Sequence, residues 1–380
     1  MILVLEVLFW FSILAIFYAY IGYPLLLKGL SLFRSRSVVK KPIHPNVSLI
    51  IAAYNEEDKI RDKLENTLQL DYPAGNLEII VASDCSEDHT DEIVKTYSAK
   101  GVKLVRAPQR MGKEYAQKLA VESAHGEILV FSDVGTVLKP DALQKIVSNF
   151  ADPSVGCVSS VDKILAQNGT VSGENFYVKY EMFLRRLESE ANSLVGLSGS
   201  FFAARREVCK DWETDLQSDF NTLLNSIRMG LRGVSDPDAL GYYRNVKSPK
   251  KEFERKVRTV VRGISVFMRA RAMIDPRKYG LFAFQLLSHK LCRWLVPFWL
   301  IIALAASFIL ASHDELFAAI LLVQICFYMM ALLGIISSRL SSSLVFKIPS
   351  FFVLVNMSVL LAWIQYWRGE RLVSWEPSRR

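Results

Sequence analysis

The chain has little of what would staple a fold or hold a soft metal. Its five cysteines, at 85, 157, 209, 292 and 326, are odd in number, scattered and without CxxC spacing. That excludes a disulfide framework and a zinc site, and fits free thiols in a reducing compartment. The histidines, at 44, 89, 125, 289 and 313, form no HExxH or other ligand spacing, so no histidine-based metal site is expected. There is no GxxxxGKS/T loop and no GxGxxG after a strand pattern, which removes the main support for P-loop and nicotinamide-cofactor readings. Internal repeats and low-complexity tracts are missing too. Charge itself is missing from four stretches: 1–27 carries Glu6 alone, and 295–311, 316–338 and 348–367 carry none. Windows of roughly 17 to 25 apolar residues are the length that crosses a bilayer as helix. The first has neither the cationic start nor the small-residue cleavage site of a removed signal, and reads as an anchor.

What is present is a cationic excess, and its location identifies its partner. The net charge is +8 in a chain that is 51% hydrophobic. Between 244 and 293 there are 14 Lys or Arg against three acids, Glu252, Glu254 and Asp275, directly before the second apolar run. Lys28, Arg34, Arg36, Lys40 and Lys41 follow the first run. Cations beside spans mark the cytoplasmic side and anionic headgroups, so membrane lipids are the expected partner and nucleic acid is not. This places 28–293 inside a cell (inner) membrane, as the cytoplasmic part of a multi-pass protein, with the turn at His313 outside. A full span at 348–367 would export Arg368, Arg371, Arg379 and Arg380. Pro349 and Asn356 therefore predict a re-entrant or interfacial segment there, with the tail inside.

Between the first two apolar runs the pattern is that of an α/β domain. VSLIIAA (47–53), LEIIVAS (77–83) and EILVFS (127–132) are short, β-branched runs separated by polar helical stretches, as in a parallel sheet. Further strands are expected at 102–106, 155–161 and 200–204, and helices at 60–70, 91–100, 113–124, 142–150 and 174–191. Tyr54, Asn55, Glu56, Asp84 and Asp133 follow the three runs directly, and ligands of such sheets bind outside the carboxyl ends of the strands. The cleft suits a ribose, a base edge and a metal-chelated phosphate. The chain divides into an anchor (1–27), a basic linker (28–46), the α/β domain (47–243), amphipathic interface helices (244–293), a membrane region (294–367) and a basic tail (368–380). At 100° per residue a helix over 250–272 gathers Arg255, Arg258, Arg262 and Arg269 on one side, opposite Val257, Val261, Ile264 and Phe267. A second helix over 281–295 is expected to lie in the interface.

Each candidate site residue has two readings. Asp84, in SDCSEDHTDEI, can accept from a base or ribose, or the cluster can simply cap the next helix. Asp133, in FSDVGT, is where a strand-end acid holds Mg2+ or Mn2+ across a diphosphate, although the second ligand position is Gly135; otherwise it makes an Asx turn. Asp219, at the start of a helix in QSDFNTLLNSIRMGLRG, can be a helix cap. Gly112 and Lys113, after Arg106 and Arg110, resemble a phosphate-contacting turn.

Taken in order, AAYNEE (52–57), SDCSEDHTDEI (83–93), RMGKEYAQKLA (110–120), FSDVGTVLKPDAL (131–143), GLSGSFFAARRE (196–207) and SDFNTLLNSIRMGLRG (218–233) resemble the membrane-bound family 2 glycosyltransferases, relatives of cellulose, chitin and hyaluronan synthases. The resemblance covers 47–272. It implies a GT-A fold (Rossmann-like, with a mostly parallel sheet) flanked by N- and C-terminal transmembrane helices, a nucleotide-sugar donor, usually UDP-linked, and inversion at the anomeric carbon. It implies that Ala53, Tyr54 and Glu56 line the nucleoside, that Asp84 contacts uracil, and that Lys113 lies near the nucleotide. Asp133 is implied as the metal ligand for Mg2+ or Mn2+; Ser198, Gly199 and Ser200 as the acceptor border; and Asp219 as the catalytic base. Gly135 stands where the family's metal motif has its second acid or amide. RKVRT (255–259) stands in place of QxxRW, so the acceptor-stacking aromatic is missing. In the resulting expectation Asp219 takes the proton of an acceptor hydroxyl while metal on Asp133, with Arg258 and Arg262, stabilises the departing diphosphate. The acceptor is a saccharide in cell-surface or exopolysaccharide synthesis, or a polyprenyl phosphate or other lipid; Gly135 also leaves room for a non-catalytic assembly subunit.

Overall fold

The structure, a computed structural model, describes residues 1–165, 176–244, 249–337, 339–340 and 343–370. The chain forms two compact units, one of Leu27–Lys247 with Ser265–Phe282, the other of Met1–Leu26, Ser248–Ile264 and Ala283–Glu370.

The first unit is built on an eight-stranded sheet: β1 (Val47–Ala53), β2 (Leu77–Ser83), β3 (Val102–Arg106), β4 (Ile128–Asp133), β5 (Thr136–Leu138), β6 (Val155–Leu165), β7 (Phe201–Arg205) and β8 (Arg232–Arg244). Their order is β3-β2-β1-β4-β7-β6-β8-β5. β3, β2, β1 and β4 are parallel, and β7 runs antiparallel between β4 and β6. Every residue of β1 is buried, because helices cover both faces of a parallel sheet. Ile51, Ala53, Ile79 and Val81 pack with Ile60 and Leu64 of the helix Ile60–Leu68 and Val94 of the helix Thr90–Lys95. Val47, Leu49, Ile128 and Val130 pack with Leu143, Ile146 and Val147 of the helix Ala142–Ser148. The helix Lys113–Ser123 buries Ala116 and Ala120.

Two strands lie outside the expected pattern. β5 is only three residues long. β8 carries Asp236, Pro237 and Asp238 in its middle, a composition that argues against a central strand. The ladder accommodates them by a bulge: Ser159 pairs with Ser235 and Val161 with Leu240, so 236–239 stand opposite Ser160 alone. Asp236 then turns inward to accept from Lys40 at 2.8 Å and Asn149 at 2.5 Å.

Among the described residues four helices are long and apolar enough to cross a membrane: Ile2–Phe33, Leu281–Leu310, Glu315–Ile336 and Leu344–Trp367. Three differ from expectation. The anchor helix runs past residue 27 to Phe33. The separate interface helix over 281–295 does not form, because a π-helical segment, Leu287–Cys292, carries the backbone without a break into Arg293–Leu310. Where a re-entrant or interfacial segment is expected at 348–367, the chain forms an unbroken 24-residue helix, Leu344–Trp367, with Pro349 inside it. Polar side chains join the helices: Trp363 Nε1 donates to the Trp294 carbonyl at 2.9 Å, and the Tyr18 hydroxyl meets Ser288 Oγ at 2.7 Å. Nor does 244–293 form a block of its own. On the helix Pro249–Arg269, Gly263 faces the Trp294 ring, whereas Arg269 pairs with Glu213 and Asp215 of the sheet unit.

At Gly126, where the chain enters β4, an added Cβ would sit 2.4 Å from the Ser48 amide nitrogen and 2.7 Å from the Val47 carbonyl carbon. Backbone cannot swing aside as a side chain can, so Gly126→Ala is expected to destabilise the sheet by about 1–3 kcal/mol or more. Thermal unfolding of the detergent-solubilised protein measures this, and an unchanged melting temperature would contradict the packing at that strand entry.

Candidate functional site

The site forms at the carboxyl ends of β1, β2 and β4, which the sheet order makes neighbours. Beyond β1 and β2 the chain turns sharply. Asn55 and Cys85 both adopt left-handed backbone, at φ of 49° and 59°. The two loops zip together: the Asn55 amide donates to Ser86 Oγ, the Glu87 amide to Asn55 Oδ1, and the Glu56 amide to Thr90 Oγ1. Tyr54 is buried at the end of β1, beside Ala53, and the Arg110 guanidinium lies over its ring, 4.1 Å from the centroid. Glu56 is buried and pairs with Lys59 at 3.2 Å; burial pushes its carboxyl above the ordinary range while Lys59 pulls it down.

Asp84 is 1% exposed, and its carboxylate accepts from the backbone amides of Met111, at 2.9 Å, and Gly112, at 3.0 Å. Burial raises its carboxyl above the ordinary value, and the two amides oppose that shift. In the protein alone Asp84 therefore fixes the turn before the helix Lys113–Ser123, where Gly112 sits at φ 99°. Arg106 pairs with Asp91 and donates to the Ser86 carbonyl at 2.8 Å. These contacts brace the loop after β2 against the first turn of the helix Thr90–Lys95.

From that turn Lys113 reaches Asp133: its ammonium lies 2.5 Å from Asp133 Oδ1 and also donates to the Gly199 carbonyl at 3.2 Å. The Asp133 amide in turn donates to the Ser200 carbonyl. Gly199 borders Asp219 so closely that an added Cβ would be 3.1 Å from Asp219 Oδ2. Asp219 is buried in the first turn of the helix Ser218–Arg228, and Gln217 donates to it at 3.1 Å. Gln217, not Asp219, occupies the cap position, so the reading of Asp219 as a simple cap does not hold. One continuous set of contacts thus joins Asp84, Lys113, Asp133, Gly199 and Asp219. Arg258 and Arg262 belong to the other unit.

Two residues escaped the sequence reading. Lys63 is 3% exposed on the buried face of its helix, and its ammonium bridges Ser132 Oγ at 2.7 Å and the Thr136 carbonyl at 2.6 Å. Burial lowers it to about 7, against the pull of Asp133. A lysine in register with Ile60, Leu64 and Thr67 was the available signal. Asp162, a lone acid in β6, gathers the Ser198 and Ser200 hydroxyls.

A divalent cation was tested against this geometry. Asp133 is 27% exposed, and nothing lies within 4 Å of where a Cβ on Gly135 would be. Among the described residues no three His, Cys, Asp or Glu cluster to hold a metal. The acid at this opening is Asp133, and its Oδ1 is taken by the Lys113 ammonium, so any hard cation there would draw most of its oxygen ligands from elsewhere.

Residues 48–212 match the family model described as Glycosyl transferase family 2. The chain is 28% identical over 193 residues to the poly-beta-1,6-N-acetyl-D-glucosamine synthase of Staphylococcus epidermidis RP62A, covering 48% of this chain and 46% of that protein. It is 27% identical over 195 residues to the synthase of the same description from Staphylococcus aureus MW2, covering 49% and 46%. The matched stretch is thus less than half the length of these curated relatives. Among solved structures, the mannosyltransferase of Pyrobaculum calidifontis in complex with GDP-Man and Mn2+ superposes with a TM-score of 0.74 at 25% identity, over 96% of this chain and 100% of that one.

The cysteines give a check on the site loops. Burial pushes Cys157 up to about 12 and Cys209 higher still, while Cys85 is half-buried in the loop after β2. A maleimide at pH 8 is therefore expected to modify Cys85 and spare Cys157 and Cys209 in the folded protein, because the thiolate is the reacting form. Peptide mass spectrometry reads the result, and labelling of either buried thiol without unfolding would contradict this core.

Proposed function

Residues 48–212 belong to glycosyl transferase family 2, and from that premise we propose that the chain is an inverting, membrane-bound glycosyltransferase. It transfers a hexosyl or N-acetylhexosaminyl group from a UDP-linked nucleotide-sugar to a saccharide acceptor in cell-surface or exopolysaccharide synthesis. The observation that carries this reading is the unbroken set of contacts from the Asp84-held turn through Lys113 and Asp133 to Gly199 and Asp219. The membrane is the cell (inner) membrane, with the sheet unit on the cytoplasmic side, where the cations flanking the spans favour it.

In this reading Ala53, Tyr54 and Glu56 line the nucleoside, and Arg110 covers it from above the Tyr54 ring. Asp84 orders the turn that carries Lys113. The Lys113 ammonium, already at the mouth of the site, faces the donor phosphates and sets positive charge against the diphosphate. Asp133 would hold a Mg2+ or Mn2+ ion, which would supply positive charge against the diphosphate leaving group. Ser198, Gly199 and Ser200 border the acceptor, and Asp219 takes the proton from its attacking hydroxyl. No second carboxylate acid is required, because diphosphate leaves without protonation, unlike the leaving group of a glycoside hydrolase.

Transfer to a polyprenyl phosphate or other lipid acceptor is the second reading. It is favoured by Thr259, whose hydroxyl bonds back to the Arg255 carbonyl at 2.9 Å where processive relatives carry a stacking aromatic. Product length separates the two acceptor classes.

A positioned base is worth roughly 10² to 10⁴ in rate. Asp219→Asn keeps an oxygen to accept from Gln217 and lies outside the cap position, so the variant should fold and bind UDP normally while sugar transfer from UDP-N-acetylglucosamine falls at least about a hundredfold. Near-normal transfer would remove Asp219 as the base. Separately, excess EDTA should abolish transfer and added Mn2+ restore it; full activity in EDTA would show that the single carboxylate of Asp133 serves no cation.

A further inference from the structure

β6 carries one acid among small and apolar residues, VGCVSSVDKIL, and the antiparallel register of β6 on β7, with Ser159 opposite Phe202, brings that acid level with the turn at 198–200. The contacts there converge. Ser198 Oγ donates to Asp162 at 2.8 Å from either carboxylate oxygen, and Ser200 Oγ at 2.7 Å. The Ser198 amide donates to Ser159 Oγ at 2.8 Å, and Ser160 Oγ to the Phe201 carbonyl at 2.6 Å. One side of the turn is therefore tied to β6. Its other side serves the site: the Gly199 carbonyl takes the Lys113 ammonium, a Cβ on Gly199 would lie 3.1 Å from Asp219 Oδ2, and the Ser200 carbonyl takes the Asp133 amide.

We propose that Asp162 is a positioning residue, which fixes the 198–200 turn and through it the spacing between Asp219, where the acceptor is deprotonated, and Lys113 with Asp133, where the donor phosphates lie. The chemistry explains why an acid is used. Ser198 and Ser200 are 2% and 8% exposed and their hydroxyls are 3.0 Å apart, so neither can turn to bulk water, and each could satisfy the other in more than one orientation. An ionised carboxylate offers only acceptors. It draws both hydroxyl protons to one side and leaves the turn a single arrangement. Without it the buried hydroxyls lose a partner and the turn is free to move relative to Asp219, whose Oδ2 would lie 3.1 Å from a Cβ on Gly199. A displacement of about 1 Å at a reacting centre can cost about a hundredfold in rate.

This inference rests on the proposed transfer reaction, and its test keeps the two apart. Full-length protein in detergent is compared with Asp162→Ala and Asp162→Asn. UDP-N-acetylglucosamine is the donor, a β-1,6-linked N-acetylglucosamine oligosaccharide is the acceptor, and hydrogen exchange is followed across 196–201. In Asp162→Ala the turn should exchange faster, kcat for transfer should fall roughly ten- to a hundredfold, the donor Kd should stay within about twofold, and a larger share of the donor consumed should go to water instead of sugar. Asp162→Asn, which keeps one acceptor oxygen and a donor for the second hydroxyl, should recover most of the transfer. Unchanged exchange at the turn overturns the inference whatever the activity. So does a loss of transfer that tracks donor affinity and melting temperature, since a purely structural residue would not alter the partition between hydrolysis and transfer. If the unaltered protein transfers from no nucleotide-sugar, the proposed function falls, and the exchange measurement still decides the role of Asp162 at the turn.

Discussion

The Lys113 ammonium is the contact on which the site's geometry depends. It leaves a helix whose first turn is fixed by Asp84, and it ends between the Asp133 carboxylate and the Gly199 carbonyl. Three separate stretches of chain meet at one nitrogen. The side chain is 9% exposed, so its charge is largely withdrawn from water. A pair of this kind adds little net stability when intact, and because the Asp133 side chain is 27% exposed, water can take over from a lost partner on that side. Its contribution is therefore to arrangement more than to stability.

Lys63 extends the same logic one layer deeper. Its ammonium ties Ser132, before Asp133, to Thr136, after Gly135, closing the 132–136 loop from beneath. The loop is thus held by a buried cation below and approached by a second cation at its mouth. Removal of a side chain at 135 leaves it open on the remaining side. The loop is rigid where it meets the sheet and spacious where a phosphate would enter, a division that suits a site whose oxygen ligands arrive with the substrate.

Much of this was legible in the sequence, and the exceptions have physical causes. β1, β2 and β4 could be read because strands buried on both faces are nearly continuous apolar runs, and the polar residues after them fall where such a sheet binds ligands. β8 could not be read, because its ladder is interrupted by a Pro-containing bulge whose acid is satisfied by Lys40 and Asn149 from distant parts of the chain. The same blindness to partners hid Lys63 and Asp162, each a single charge inside an otherwise ordinary helix or strand. Arg106 has its partner, Asp91, in the first turn of the helix Thr90–Lys95, which nothing in its own sequence neighbourhood marks. In the membrane unit the apolar lengths were plain, but the continuity of Leu281–Leu310 was not, since π-helical hydrogen bonding leaves no mark on composition.

The left-handed residues at the ends of β1 and β2 bear on how this surface can diverge. Asn55 and Cys85 hold positive φ without being glycine, a conformation that costs L-residues roughly 1–2 kcal/mol, with Asn the most tolerant. Asn55 offsets this through its side chain, which accepts the Glu87 amide; a β-branched residue there would have neither the backbone freedom nor the acceptor. Drift at these two positions is thus restrained by the shape of the peptide itself, ahead of any demand from the ligand. Descendants of this chain could vary the side chains around the cleft while the two corners stay nearly fixed.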